Sequence, residues 1–138
     1  DLRGVVMSKQ RLLVVDDDHL FRQFMQNFAE AMDIDAVITD TPDRFKRAYR
    51  DFDPTVILTD LFMPECDGFE LLEWLFENHC TARIVLISGH DQHYLHMARK
   101  LCRDRGVPDI TTISKPSTLQ QLTSAMGVSP DGIKPFAV

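Results

Sequence analysis

The chain has 138 residues, about one domain's worth and enough to bury a core without disulfides or metals. Its 15 Lys+Arg against 21 Asp+Glu give a net charge of -6, which argues against non-specific binding to nucleic acid or an anionic membrane. The longest apolar runs, Leu12–Val15 and Ile84–Ile87, have four residues where a membrane span needs roughly 20, and Asp1–Gln10 lacks the apolar stretch of a signal peptide.

Three cysteines, Cys66, Cys80 and Cys102, are far apart and form no C-x-x-C pair. Neither a disulfide framework nor a zinc ribbon is indicated, and a reducing, cytoplasmic setting is expected. Residues 1–8 read as a disordered leader or an expression remnant, with Met7 the expected natural start. Residues 9–127 read as the folded domain, and residues 128–138 as a tail or the start of a linker.

Along the chain, short β-rich runs alternate with helical patterns. Arg11–Val15 is a continuous apolar run of strand length. Asp35–Thr39, Thr55–Thr59, Arg83–Ser88 and Asp109–Ser114 are the other strand candidates, rich in Val, Ile and Thr. The first, third and fourth lack polar alternation, as expected of strands buried on both faces. Leu20, Phe21, Phe24, Met25, Phe28 and Met32 follow helical spacing behind an Asp18 cap. Phe45, Ala48, Tyr49 and Phe52 do so behind Thr41-Pro42, a cap followed by Pro at the first helical position. Leu71, Leu72, Leu75 and Phe76 form a third stripe, after Asp67-Gly68 as a turn signal. Tyr94, Leu95, Ala98, Leu101 and Cys102 form a fourth, after an Asp91 cap and before Gly106-Val107-Pro108 as a stop. Leu119, Leu122 and Met126 form a short fifth. Trp74 and the helical Phe residues read as core.

Five βα units imply an α/β fold with an open, doubly wound, five-stranded parallel sheet. Ligands bind such sheets at the carboxyl ends of the strands. Asp16, Asp17 and Asp18 stand where the first strand stops. Adjacent carboxylates repel, and a hard cation such as Mg²⁺ would offset them. A solvated acidic turn with Asp18 as a cap is the plain alternative. Asp60 ends the third strand, Ser88 the fourth and Lys115 the fifth. Each alone reads as an ordinary polar strand end. Together they form a set suited to phosphoryl chemistry: a carboxylate nucleophile, acidic metal ligands, a hydroxyl donor and a cation.

With LLVVDDD, TDLFMPECDGFELL, VLISG and ISKP in that order, the chain resembles the receiver domain of bacterial two-component response regulators over Arg11 to Met126. The resemblance implies a flavodoxin-like (βα)5 sheet of strand order 2-1-3-4-5. It implies Asp60 as phosphoacceptor from a histidine kinase or phosphotransfer protein. Mg²⁺ would be held by Asp16, Asp17, Asp60 and the backbone carbonyl of Phe62. Ser88 and Lys115 would contact the phosphoryl group, and the face of the fourth helix, fifth strand and fifth helix would switch. The chain departs from the family at Thr112, where Tyr or Phe is usual. Phe62 and His90 would flank the phosphoryl site, with Phe62 shielding the acyl phosphate from water. HDQHYLHMARKLCRDRG is similar to receivers attached to cyclic-di-GMP phosphodiesterase domains, and such an output domain or a homodimer is a further expectation.

Two other readings compete. A haloacid-dehalogenase-type phosphatase would use Asp16 and Asp18, but it needs an acidic pair after the Lys, and only Asp131 follows Lys115. A receiver-like adaptor that is never phosphorylated would fit Thr112 but leaves Asp60, Ser88 and Lys115 unexplained. His90, His93 and His96 read as a surface helix face rather than a metal site. No GxGxxG or GxxxxGK[ST] loop is present.

Overall fold

The structure is a computed structural model that describes residues 9–63, 66–89, 92–107, 110–114 and 119–126. The leader, the tail, His90, Asp91, Asp109 and Lys115 lie outside the described residues. Strands β1 (Arg11–Val15), β2 (Asp35–Thr39), β3 (Val56–Asp60), β4 (Arg83–Ser88) and β5 (Ile110–Ser114) form a parallel sheet of order β2-β1-β3-β4-β5. Helices α1 (His19–Ala31), α2 (Pro42–Phe52), α3 (Gly68–Glu77), α4 (Gln92–Asp104) and α5 (Leu119–Ala125) connect and cover it.

Strand alternation sorts the core into two layers. Leu13, Val15, Ile57, Ile84 and Leu86 point to one face, against Phe45 of α2, Leu71, Leu72 and Leu75 of α3, and Leu95, Ala98 and Cys102 of α4. Leu12, Val14, Val56, Leu58, Val85 and Ile87 point to the other, against Met25, Phe28 and Ala29 of α1 and Leu122 and Ala125 of α5. Because β1, β3 and β4 are covered twice, their residues are buried almost without a break. Arg83, at the start of β4, donates from its guanidinium to the Ala125 carbonyl and satisfies one orphan acceptor at the end of α5.

The helix starts follow their caps. Asp18 accepts from the backbone N–H groups of Leu20 and Phe21 at 3.0 and 3.5 Å, and Thr41 accepts from Arg44 at 3.2 Å. Three helix ends share one motif, in which two backbone bonds close the last turn around a left-handed residue. In α1 these are Ile34 to Ala29 and Asp33 to Glu30; in α3, Cys80 to Leu75 and His79 to Phe76; beyond α4, Val107 to Cys102 and Gly106 to Arg103. The left-handed residues are Asp33 (φ 54), His79 (φ 54) and Gly106 (φ 75), and Asp53 ends α2 at φ 50.

Several expectations need correction. Leu20 is 77% and Phe24 36% exposed, so the apolar stripe of α1 is narrower than its spacing suggests. At 100° per residue Phe21, Met25 and Phe28 face the sheet, whereas Leu20 points about 120° from the buried face and Phe24 sits on its flank. Tyr94 is 39% exposed on α4 for the same reason. Asp67-Gly68 is no free turn: Phe62–Met63 pairs antiparallel with Cys66–Asp67, and Gly68 opens α3. β3 starts at Val56, with the Thr55 hydroxyl before it accepting from the Arg11 N–H of β1 at 2.9 Å. Trp74 lies half-buried at the core edge, its ring 5.3 Å from Tyr49 and 6.5 Å from Phe45 with Lys46 over it.

Candidate functional site

β2 and β3 flank β1, so the chain reverses direction across the β1/β3 gap, and a crevice opens beyond the carboxyl ends of those strands. Register decides what enters it. Val15 pairs with Thr59, so Asp16 and Asp60 emerge side by side at the same level. On the other side Asp60 pairs with Ile87, which places Ser88 one residue further along β4. Ser88 in turn pairs with Ser114, the last residue of β5.

Carboxylate oxygens of Asp16, Asp17 and Asp60 all lie within 4.8 Å of one another. Asp16 and Asp60 are buried, Ser88 is buried at 0% exposure, and Asp17 is open to solvent. Carboxylates crowded at that distance repel unless a cation sits among them. An all-oxygen set with one open side is the donor chemistry that Mg²⁺ favours, since it keeps several of its waters. The acidic set therefore fits the ion.

Backbone bonds fix the loops that carry these groups. The Asp16 N–H donates to the Thr39 carbonyl at 3.2 Å, and one Asp16 carboxylate oxygen accepts from the Asp18 N–H at 2.8 Å. The Leu61 N–H donates to the Ile87 carbonyl at 3.2 Å, and the Leu61 carbonyl accepts from Gly68. Asp18 itself is taken up in capping α1 and stands outside the carboxylate cluster. This removes the geometry that a phosphatase built on Asp16 and Asp18 would need. His93 and His96 are exposed on α4 and belong to no metal-capable group among the described residues. Phe62 opens the short hairpin two residues after Asp60, with its side chain outside the described part.

Arg22 was not singled out by sequence. Its guanidinium donates to the Asp16 carbonyl at 3.0 Å, which brings a cation to the base of the acidic edge. The signal was a lone Arg one turn into the helix that follows three acids. Thr112, opposite Leu86 in β5, is half-buried at the position where an aromatic ring was expected from the resemblance.

Comparison with known proteins agrees with this arrangement. The model of the response regulator receiver domain matches residues 12–127. The transcriptional regulatory protein YdfI of Bacillus subtilis is 31% identical over 88 residues, which cover 62% of this chain and 41% of YdfI. The C4-dicarboxylate transport transcriptional regulatory protein DctD of Pseudomonas aeruginosa is 29% identical over 83 residues, 60% of this chain and 18% of DctD. The chain thus spans less than half the length of these relatives. A solved response regulator from Colwellia psychrerythraea is 31% identical with a TM-score of 0.67, over 87% of this chain and 95% of that one. With its sheet order and family match, the chain belongs to the response regulator receiver domains of two-component signalling.

Proposed function

We propose that Asp60 is the phosphoacceptor of this receiver, and that Asp16, Asp17, Asp60 and the Phe62 carbonyl hold Mg²⁺. The observation that carries this reading is the in-register end of β1 and β3, with carboxylate oxygens of Asp16, Asp17 and Asp60 within 4.8 Å. When bound, the ion neutralises charge on the carboxylates and on the incoming phosphoryl oxygens.

The chain's own groups do the rest. A carboxylate oxygen of Asp60 attacks phosphorus in the phosphohistidine of a histidine kinase or phosphotransfer protein. The P–N bond breaks, the imidazole leaves and takes up a proton, and an acyl phosphate remains on Asp60. With acetyl phosphate as donor the P–O bond breaks and acetate leaves. Ser88 donates a hydrogen bond from its hydroxyl to a phosphoryl oxygen, and Lys115, following β5, pairs with another. Burial of Asp60 at 5% exposure limits the approach of water, which slows hydrolysis of the acyl phosphate. The domain catalyses nothing beyond its own phosphorylation and slow dephosphorylation.

New charge at this edge reorients Ser88 and through it switches the face of α4, β5 and α5. Thr112 has no ring to swing, so the hydroxyl and the loop after β4 carry the change. By the likeness of the α4 segment, the output this domain serves is a cyclic-di-GMP phosphodiesterase joined after residue 127, in a cytoplasmic protein.

Intact mass after incubation with acetyl phosphate tests the reading. One added phosphoryl group, dependent on Mg²⁺ and absent in Asp60→Asn, is the expected result. No gain by a folded parent would leave the adaptor reading in its place.

A further inference from the structure

The formal charges of α3 and α4 are of opposite sign. Residues 51–82 hold eight Asp or Glu and no Lys or Arg. On α3 this leaves Glu70, Glu73 and Glu77 at i, i+3 and i+7, on the side away from buried Leu71, Leu72 and Leu75. The next helix reverses the sign. His93, His96, Lys100 and Arg103 follow the same spacing on the side of α4 away from Leu95, Ala98 and Cys102, and all four are exposed. Arg99 makes a third formal cation beside Lys100 and Arg103, against Asp104 alone. Among the described residues, Glu77, Lys100 and Arg103 make no ion pair.

The two stripes are neighbours. Both helices pack on the same layer of the core, and Arg105 ties them together: its guanidinium meets Glu73 at 2.6 Å and lies 5.7 Å from the Phe76 ring. Helical periodicity puts Tyr94, Met97 and Leu101 on the flank of α4 that Arg105 shares, so an apolar seam lies beside the charged stripes. Tyr94 and Met97, 39% and 46% exposed, are two of the four exposed large hydrophobic residues among those described.

We propose that the α3–α4 face is a self-complementary docking surface that receives a second copy of this chain. A two-fold axis running along the seam lays the acidic α3 of one protomer over the basic α4 of its partner, twice, and closes the dimer. Charge complementarity is the argument for this occupant. A symmetric pairing through α4, β5 and α5 has no such match, because Ile110–Met126 contains Lys115 and no acid to meet the α4 cations. The segments flanking the domain carry no such match either: residues 127–138 hold Asp131 and Lys134, and residues 1–8 hold Asp1 and Arg3. The net charge of -6 disfavours nucleic acid on the basic stripe.

Charge reversal separates this face from any other. Multi-angle light scattering and sedimentation velocity would be run on the parent, on Glu77→Lys and on Lys100→Glu, with circular dichroism to confirm that these exposed substitutions leave the fold intact. The parent should show a monomer–dimer equilibrium that weakens as salt rises. Each single variant should raise the dimer Kd by about tenfold or more, since each places like charges together at two symmetric contacts. Mixing the two variants one to one should restore the dimer, because both contacts then join opposite charges. A parent that stays monomeric at high concentration would overturn the proposal. So would a dimer indifferent to both reversals, a mixture that fails to reassemble, or masses that grow past two copies. None of these readouts depends on phosphorylation, so a failure here leaves the Asp60 reading untouched.

Discussion

Gly68 lies with its backbone against that of Leu61, the residue after Asp60: a Cβ added at Gly68 would sit 2.6 Å from the Leu61 Cα and 2.7 Å from its carbonyl oxygen. The Gly68 N–H donates to that same carbonyl at 3.2 Å. Glycine is needed here for close approach rather than for an unusual dihedral. Gly68→Ala should therefore push the Asp60–Leu61 backbone away from α3. We expect a loss of about 1–3 kcal/mol in urea unfolding, together with slower phosphorylation by acetyl phosphate. A variant of parental stability and rate would contradict the close contact.

Mg²⁺ should stabilise the folded protein by mass action. At 100 times its Kd the gain is about 2.7 kcal/mol, readable as a rise in thermal midpoint when MgCl2 replaces EDTA. Asp17→Asn removes a carboxylate from the solvent side of the cluster while leaving the core intact. It should lose most of the Mg²⁺-dependent rise, and EDTA should abolish phosphorylation of the parent.

Asp18 and Asp16 are adjacent yet have separate roles. Asn caps a helix about as well as Asp. Asp18→Asn should keep both the stability of α1 and the rate of phosphorylation. Asp18→Ala should cost about 1 kcal/mol through the lost cap. A sharp fall in phosphorylation with Asp18→Asn would revive a chemical role for that carboxylate.

Burial pushes the Cys102 thiol up from 9.0 to about 11. Between those values the unfolded chain loses the thiol proton while the folded chain keeps it. The folded state then holds more protons, so stability falls as pH rises through this window. The loss reaches about 2 kcal/mol by pH 11, and below pH 9 the stabilisation is fully present. Tyr49, pushed up to about 12 first by burial, adds a smaller loss from pH 10 upward, because it is partly open to solvent. Denaturant midpoints across pH 8 to 11 should decline less steeply in Cys102→Ala than in the parent.

Sequence reveals most about this protein where the chemistry is periodic or terminal. β1 and β4 read directly from apolar runs, because strands covered on both faces leave no room for polar residues, whereas β2, at the sheet edge, read from its Val, Ile and Thr. The caps at Asp18 and Thr41 read from residue type. Leu20 and Phe24 misled, because spacing places residues on a helix but does not say how wide a stripe its neighbours will cover. At the site, Asp16, Asp17, Asp60 and Ser88 were legible as strand ends, and the register that joins them came only with the sheet. Arg22, Gly68 and the Glu73–Arg105 bridge were hidden, since each depends on a contact between segments that no local pattern encodes.

The left-handed turns that close the helices also bear on how the domain could be hardened. Asp33, Asp53 and His79 each occupy a conformation that costs a side-chain-bearing residue about 1 kcal/mol, whereas the corresponding turn after α4 uses Gly106. These turns precede β2, β3, β4 and β5, at the rim of the sheet opposite the acidic crevice. Heat tolerance and phosphoryl chemistry are thus adjustable at opposite ends of the molecule. His79→Gly, followed by Asp33→Gly, should raise the melting temperature while the phosphorylation rate stays where it is.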